Sequence, residues 1–336
     1  MMFKASQSLD VNPASGPDDF IRSFLFGTYG IVQDGQALRS VLVMDDKTQG
    51  WVGIPHGGVA MGAMAEMAFA LMGGAGDSFS PYPFSLDYRM GGASARLGDA
   101  LQCEMIATEA GAAGVLVKEP TAAPYLSATF RFADDLSLKE TFESYLPGCI
   151  GDVETRMLPL PFYRNCFVCG ITRREPGLER RFYALDRQDR QKIVVSPIGC
   201  AGDNGAAFYR FQSRGCLHPL PMLALLDEIM GWGGFLLTAS GSVTVKASYT
   251  FYRDIRVGEK LLVFGRGEKA RGSAASRLLY WASGGAAAIR SDGVMEPVVA
   301  ASGQYMGVGA LTEQMRQELL PADLTRRAFQ LAAASL

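Results

Sequence analysis

The sequence repeats a short pattern at a spacing of about 160 residues, and this constrains the fold more than any other feature. The first copy runs His56-Gly57-Gly58-Val59 to Ala65-Glu66; the second runs His218-Pro219-Leu220-Pro221 to Asp227-Glu228. The chain has two histidines, 162 residues apart, and each stands ten residues before a glutamate. A second match stays in phase: Arg96-Leu97-Gly98-Asp99 parallels Arg256-Val257-Gly258-Glu259, an offset of 160. Each of these blocks follows a strand-like stretch, Phe84 to Met90 and Val243 to Tyr252. The second stretch is rich in the β-branched and aromatic residues that a half-buried pleated surface favours. At 336 residues the chain is about right for two copies of one unit.

The segments after the histidines predict helices of an unusual kind. Val59 to Met72 is apolar on nearly every face, with Glu66 its one charge; Met222 to Leu237 is similar, with Asp227 and Glu228. A helix without a polar stripe is a buried helix. An acid on it is conspicuous, because an unpaired carboxylate is costly away from water.

Strands are predicted near Leu38–Met44, Phe84–Met90, Ala100–Thr108, Gly114–Val117 and Leu126–Phe132 in the first half. In the second they fall near Leu178–Tyr183, Lys192–Val195, Gly205–Phe211, Lys260–Gly267, Arg277–Trp281, Ala286–Arg290 and Val298–Tyr305. Gly91-Gly92 and Gly284-Gly285 read as turns. An irregular stretch from Cys149 to Pro161 is the expected linker. Leu311 to Ala334 reads as helix, capped by Thr312 and interrupted at Pro321. The expected organisation is one domain over 15–150, a second over 160–310 and a helical tail over 311–336. The fold class is α+β: each half an antiparallel sheet wrapped around a buried helix.

Composition bounds the function. Net charge is −2, so no basic excess is present to neutralise a phosphate backbone, and nucleic-acid binding is disfavoured. The longest uncharged stretch, Ile229 to Val245, is interrupted by glycines and falls short of a bilayer span, so no membrane partner is expected. Residues 1–20 carry no apolar run of signal-peptide type, and the six cysteines are read as thiols in a reducing cytoplasm.

His56-Gly57-Gly58-Val59 opening an apolar helix resembles the His-Gly-Gly signature of hotdog acyl-CoA thioesterases. Leu225-Leu226-Asp227-Glu228-Ile229-Met230-Gly231 is similar to the helix centre of that family. Asn165-Cys166-Phe167-Val168-Cys169-Gly170 with Pro176-Gly177-Leu178 resembles its strand entry. The resemblance spans roughly residues 20–308 and implies a tandem double hotdog. It implies an acyl-CoA or acyl-carrier-protein thioester as substrate, with CoA present only as part of that substrate and no separate cofactor or metal. It also implies a site between the halves, with the helix N-terminus from one and the acid from the other; a homodimer is compatible with it.

Applied position by position, the resemblance yields one complete site. Gly57 and Gly58 belong to the first half and Asp227 to the second. The reciprocal site would join Pro219 and Leu220 to Ala65, and has neither glycines nor acid. Backbone N–H groups at a helix start stabilise negative charge, and glycine permits close approach of a substrate. Asp227 would act as general base or as nucleophile, with Glu228 and Glu66 as alternative acids. His56 is expected to orient the turn or the substrate.

Blander readings stand beside these. His56 and its glycines could be a tight turn, Asp227 a structural carboxylate, Glu66 and His218 core groups. Cys166 and Cys169 are read as buried strand cysteines, since no second pair completes a zinc set. Arg173, Arg174, Arg180 and Arg181 are read as a solvated face, with the CoA phosphates as the sharper option. Trp232, Phe235 and Met230 are read as core or as lining for the acyl group. Thioester hydrolysis thus competes with hydroxyacyl dehydration or enoyl hydration, whose Gly-Asp-x-Asn-Pro-x-His type of motif is missing. It also competes with non-catalytic acyl-thioester binding.

Overall fold

A computed structural model describes residues 18–73, 81–119, 123–133, 157–185, 192–200, 203, 205–272 and 277–334. Alternation along the chain produces the strands of the first half. In Phe84–Met90, Phe84, Leu86 and Tyr88 point inward; in Ala100–Thr108, Leu101, Cys103 and Met105 do. Helix α1 (Asp18–Phe26) leads into β1 (Val32–Asp34), β2 (Ala37–Val43), β3 (Gln49–Trp51) and β4 (Ile54–Pro55). The core helix α2 (Gly57–Gly73) follows, then β5 (Phe84–Met90), β6 (Ala100–Thr108), β7 (Gly111–Lys118) and β8 (Ala123–Phe132). The second half runs β9 (Met157–Pro159), β10 (Phe162–Tyr163), β11 (Tyr183–Leu185), β12 (Ile193–Ile198), a short helix α3 (Ala206–Tyr209), β13 (Gln212–Ser213) and β14 (Cys216–Leu217). Its core helix α4 (Pro219–Thr238) precedes β15 (Ser242–Phe251), β16 (Leu261–Arg271), β17 (Leu279–Ile289) and β18 (Met295–Gly307). Helix α5 (Gly309–Glu318), β19 (Leu319–Leu320) and helix α6 (Ala322–Ala333) close the chain.

One 13-stranded sheet has the order β1-β2-β6-β7-β8-β5-β15-β18-β17-β16-β12-β11-β9. Two five-strand blocks within it share a topology. Counting the five strands of each block along the chain, both read first-third-fourth-fifth-second: β2-β6-β7-β8-β5 and β12-β16-β17-β18-β15. The blocks meet antiparallel at β5 and β15, where Phe84 faces Phe251 with rings stacked at 4.7 Å. The first block packs on α2 and the second on α4, and the two helices pack on each other. This is the double-hotdog fold.

The helix contact explains the residues that differ between the copies. Gly58 lies against Ala224; a side chain there would come within 2.3 Å of the Ala224 Cα. Gly62 lies against Leu220, whose side chain occupies the space a Cβ at 62 would need. These contacts are twins, because 58 corresponds to 220 and 62 to 224 in the repeat. Glycine stands opposite a larger residue in both, so Leu220 is tolerated because Gly62 has no side chain. The apolar face of α4 is likewise core: Met230, Trp232 and Phe235 are buried.

Several sequence expectations need correction. Gly205–Phe211 is a helical turn rather than a strand, and Leu178–Phe182 precedes the strand placed there. Gly284-Gly285 is no turn: β17 runs straight through it, and Gly284 is needed because a Cβ would meet the Phe264 carbonyl at 2.6 Å. Thr312 caps nothing; it lies inside α5 and its hydroxyl accepts from the Gly241 N–H at 2.9 Å. Helix α1 is an element with no counterpart in the expected organisation. The expected linker over residues 149–161 lies mostly outside the described residues, and its end forms β9.

Candidate functional site

Both core helices begin on a histidine. His218 sits in extended conformation before Pro219, which suits the first helical position, and its Nδ1 accepts from the Leu220 N–H at 3.1 Å. His56 does the same for α2, its Nδ1 accepting from the Gly58 N–H at 3.0 Å. A ring whose Nδ1 accepts must carry its proton on Nε2, so this bond assigns the neutral Nε2–H form. Each Nε2 then reaches the glutamate of the opposite half. His56 Nε2 lies 3.3 Å from Glu228 Oε2, and His218 Nε2 lies 3.2 Å from Glu66 Oε2. The two pairs cross at the helix–helix contact.

Their third partners differ. Arg22 of α1 donates to Glu66 Oε1 at 2.7 Å. Burial raises the Glu66 carboxyl, but the hydrogen bond from His218 and the hydrogen bond and charge of Arg22 outweigh it and hold the group below its ordinary range. At Glu228 the third partner is a thiol: Cys166 Sγ donates to Oε2 at 3.0 Å. Cys166 and Cys169 lie in the turn after β10, correcting the strand placement, and burial pushes both thiols up. Val168 and Cys169 N–H groups point at Cys166 Sγ, at 3.3 and 3.5 Å.

His56, Cys166 and Glu228 bring one ligand atom each within 4.8 Å of one another, a spacing that could enclose a cation. The protons argue for another reading. Gly58 occupies the Nδ1 lone pair, so Nε2 has a proton where a metal would need a lone pair, and that proton points at Glu228. The twin pair achieves the same His–Glu geometry with Arg22 in place of the thiol. The trio is a carboxylate receiving two donors.

Asp227 stands apart from these braces. Its Oδ1 accepts from Thr244 Oγ1 at 2.7 Å, and Tyr305 Oη lies 3.4 Å from Oδ1 and 3.2 Å from the Asp227 carbonyl. Its Oδ2 meets no donor among the described residues, and lies 3.5 Å from where a Gly57 side chain would sit. Burial pushes the Asp227 carboxyl above its ordinary range. A charged His56 would oppose this, as do the Thr244 and Tyr305 hydroxyls, while Glu228 adds to the rise. The neutral imidazole assigned above leaves burial in command.

The sequence-predicted residues therefore separate into two groups. Gly57 and Asp227, from opposite halves, are brought together. Gly58 is adjacent, but its N–H is engaged by His56, which corrects the expectation of two free amides; among the described residues, only the Gly57 N–H of that pair meets no acceptor. His56 orients the turn. Glu228 and Glu66 are occupied by histidines and by Cys166 and Arg22. At the reciprocal position Ala65 offers no acid, and Leu220 fills the helix contact. Thr244, Tyr305, Cys166 and Arg22 were missed as site neighbours, since nothing in the repeat marks them. The arginine cluster also changes character: Arg180 is buried on Asp203, and Arg173 binds the Asp46, Lys47, Asn165 and Glu175 carbonyls.

No family model matches the chain, and no curated protein matches it by sequence. Solved structures with a similar fold include an acyl-CoA thioesterase II, TesB2, from Mycobacterium marinum (12% identity; 86% of this chain and 97% of that one; TM-score 0.46). Another is the dehydratase domain of PpsC from Mycobacterium tuberculosis in complex with an acyl-CoA (13% identity; 85% and 99%; TM-score 0.49). A third is a hot dog fold protein of unknown function from Alicyclobacillus acidocaldarius (12% identity; 83% and 96%; TM-score 0.46).

Proposed function

We propose that the protein hydrolyses an acyl thioester, an acyl-CoA or an acyl-carrier thioester, at one site between its two halves. The observation that carries this reading is Asp227: one carboxylate oxygen is fixed by Thr244, and the other is left without a partner beside the Gly57 turn. Hydrolysis needs a base or nucleophile next to a donor that stabilises the oxyanion. Asp227 supplies the first. The Gly57 N–H, at the positive end of α2, supplies the second, and such a donor is worth about 3–4 kcal/mol in the transition state.

As general base, Asp227 Oδ2 takes a proton from water while the oxygen adds to the thioester carbon. The tetrahedral intermediate holds its negative oxygen at Gly57. Its collapse breaks the carbon–sulfur bond, and the thiolate leaves with the proton returned from Asp227. Direct attack by Oδ2 would give an anhydride that water then opens; single turnover in labelled water separates the routes.

Dehydration is the weaker reading. It wants a histidine with a free nitrogen, and both nitrogens of His56 are engaged. The test is Asp227→Asn against an acyl-CoA panel. We expect kcat to fall by about 10²–10⁴-fold with acyl-CoA binding retained. Unchanged turnover would remove Asp227 from the chemistry, and tight binding by wild type without any turnover would favour a binding protein.

A further inference from the structure

The site as described is one donor short. Gly58 gives its N–H to His56, so the turn at the start of α2 leaves the Gly57 N–H alone to meet the developing oxyanion. A second donor should be a hydrogen-bonding group that makes no bond within the described protein and lies at the level of Asp227.

Strand β8 supplies one. Its register slips between Leu116 and Val117 of β7: Leu116 faces Leu126 and Val117 faces Pro124, so Tyr125 is an inserted residue in a β-bulge. A bulge re-aims a side chain, and here alternation fails, with Tyr125 and Leu126 both buried in succession. Tyr125 is 6% exposed, yet its hydroxyl makes no hydrogen bond among the described residues. Its oxygen is not sealed from solvent, so the unbonded O–H faces space that substrate can enter. Other buried phenols of the sheet are bonded within the protein: Tyr88 donates to the Met61 carbonyl at 2.8 Å, Tyr280 meets Ser242 Oγ at 2.5 Å, and Tyr305 meets Asp227.

The bulge is built in. Gly91 ends β5 and donates to the Tyr125 carbonyl at 2.8 Å, while a Cβ at 91 would lie 1.9 Å from the Pro124 carbonyl oxygen. A second bulge lies level with it. Arg89 of β5 sits between Ser127 of β8 and Lys246 of β15. Beyond that row β15 slips between Thr244 and Lys246, and Thr244 turns onto Asp227. The sheet is thus bulged on both sides of β5 at the level of one carboxylate. The Asp227 charge reaches the Tyr125 phenol and, after burial itself, opposes its ionisation, so the group stays a donor.

We propose that Tyr125 is the second donor of the site, binding the thioester carbonyl oxygen through its phenol O–H together with the Gly57 N–H. This rests on the hydrolytic reading above. Substrate would complete a hydrogen bond that the free protein leaves unmade, and no acyl-chain preference follows from it.

The test is Tyr125→Phe beside Asp227→Asn. For Tyr125→Phe we expect kcat to fall by about 10²-fold, to the same extent for short, long and aromatic acyl groups, with KM little changed. Its thermal midpoint should not fall, since no bond within the protein is lost; Tyr88→Phe, which removes the bond to Met61, should lower it. An unhydrolysable ketone analogue of acyl-CoA gives a reading without turnover. Its carbonyl stretch in the complex should move to higher wavenumber in Tyr125→Phe. Full kcat in Tyr125→Phe while Asp227→Asn is inactive, or an unmoved carbonyl stretch, would overturn this assignment and leave the hydrolytic reading standing. Unchanged turnover in Asp227→Asn would overturn the site placed at Asp227 and Gly57, and the assignment with it.

Discussion

At Asp227 and Glu66 the same residue class is pushed in opposite directions. Asp227 is held above its ordinary range by burial, Glu66 below it by His218 and Arg22. Two pH dependences follow. If ionised Asp227 is the base, kcat/KM falls as pH drops through a value above the ordinary 3.8, which a pH–rate profile reads. The unfolded chain ionises Asp227 first, so folding loses stability as pH rises through the window between 3.8 and that raised value. Asp227→Asn should therefore unfold at a higher temperature than wild type at neutral pH while losing turnover. For Glu66 the sign reverses. Its stabilisation is present above the ordinary 4.5 and is lost as pH falls through the depressed value. Glu66→Ala should cost about 1–3 kcal/mol in a denaturant titration at neutral pH, because His218 is left buried without its acceptor. The ten-residue spacing of histidine and glutamate was plain in the sequence. Which glutamate each histidine meets was not, since each partner lies on the other repeat.

At the scale of elements, small residues decide how closely the pieces approach. In the sequence Gly58 reads as room for substrate; its more immediate task is room for α4. Gly58→Ala should push the helices apart at Ala224, costing about 1–3 kcal/mol. Gly91→Ala should disturb the β8 bulge; a fall in kcat larger than the fall in stability would mark the bulge as functional. The core helices and the long strands were legible because their periods are local: apolar on every turn for α2 and α4, alternate residues for β5 and β6. The bulges were not, because an inserted residue shows only against its partner strand. Gly284-Gly285 misled for a related reason. Two glycines signal a turn in isolation, but in β17 Gly284 lets the sheet approach Met230 and the neighbouring strand β16 closely.

At the scale of the molecule, a duplicated unit has become asymmetric. Both blocks keep the strand order, the histidine cap and the crossed glutamate. Only one interface joins a helix-start glycine to an opposing acid, and the sequence pointed to that asymmetry through Ala65 and Leu220. It could not show that Gly58 is engaged, which needs the cap geometry, or that Thr244 fixes Asp227, which needs the β15 bulge. The braces also make the halves interdependent. Loss of the His56–Glu228 contact should therefore lower the thermal midpoint of the whole described assembly in one transition. An unchanged midpoint on calorimetry of His56→Ala would show that the blocks are held together chiefly elsewhere.

Under the proposed function Gly57 of one half and Asp227 of the other act on the same thioester. The most direct measurement is a crystal structure with an unhydrolysable acyl-CoA analogue. Its carbonyl oxygen is expected within hydrogen-bonding distance of the Gly57 N–H, with Asp227 Oδ2 facing the carbonyl carbon. An analogue seated at the Glu66–His218 side, or with its carbonyl away from both groups, would contradict it.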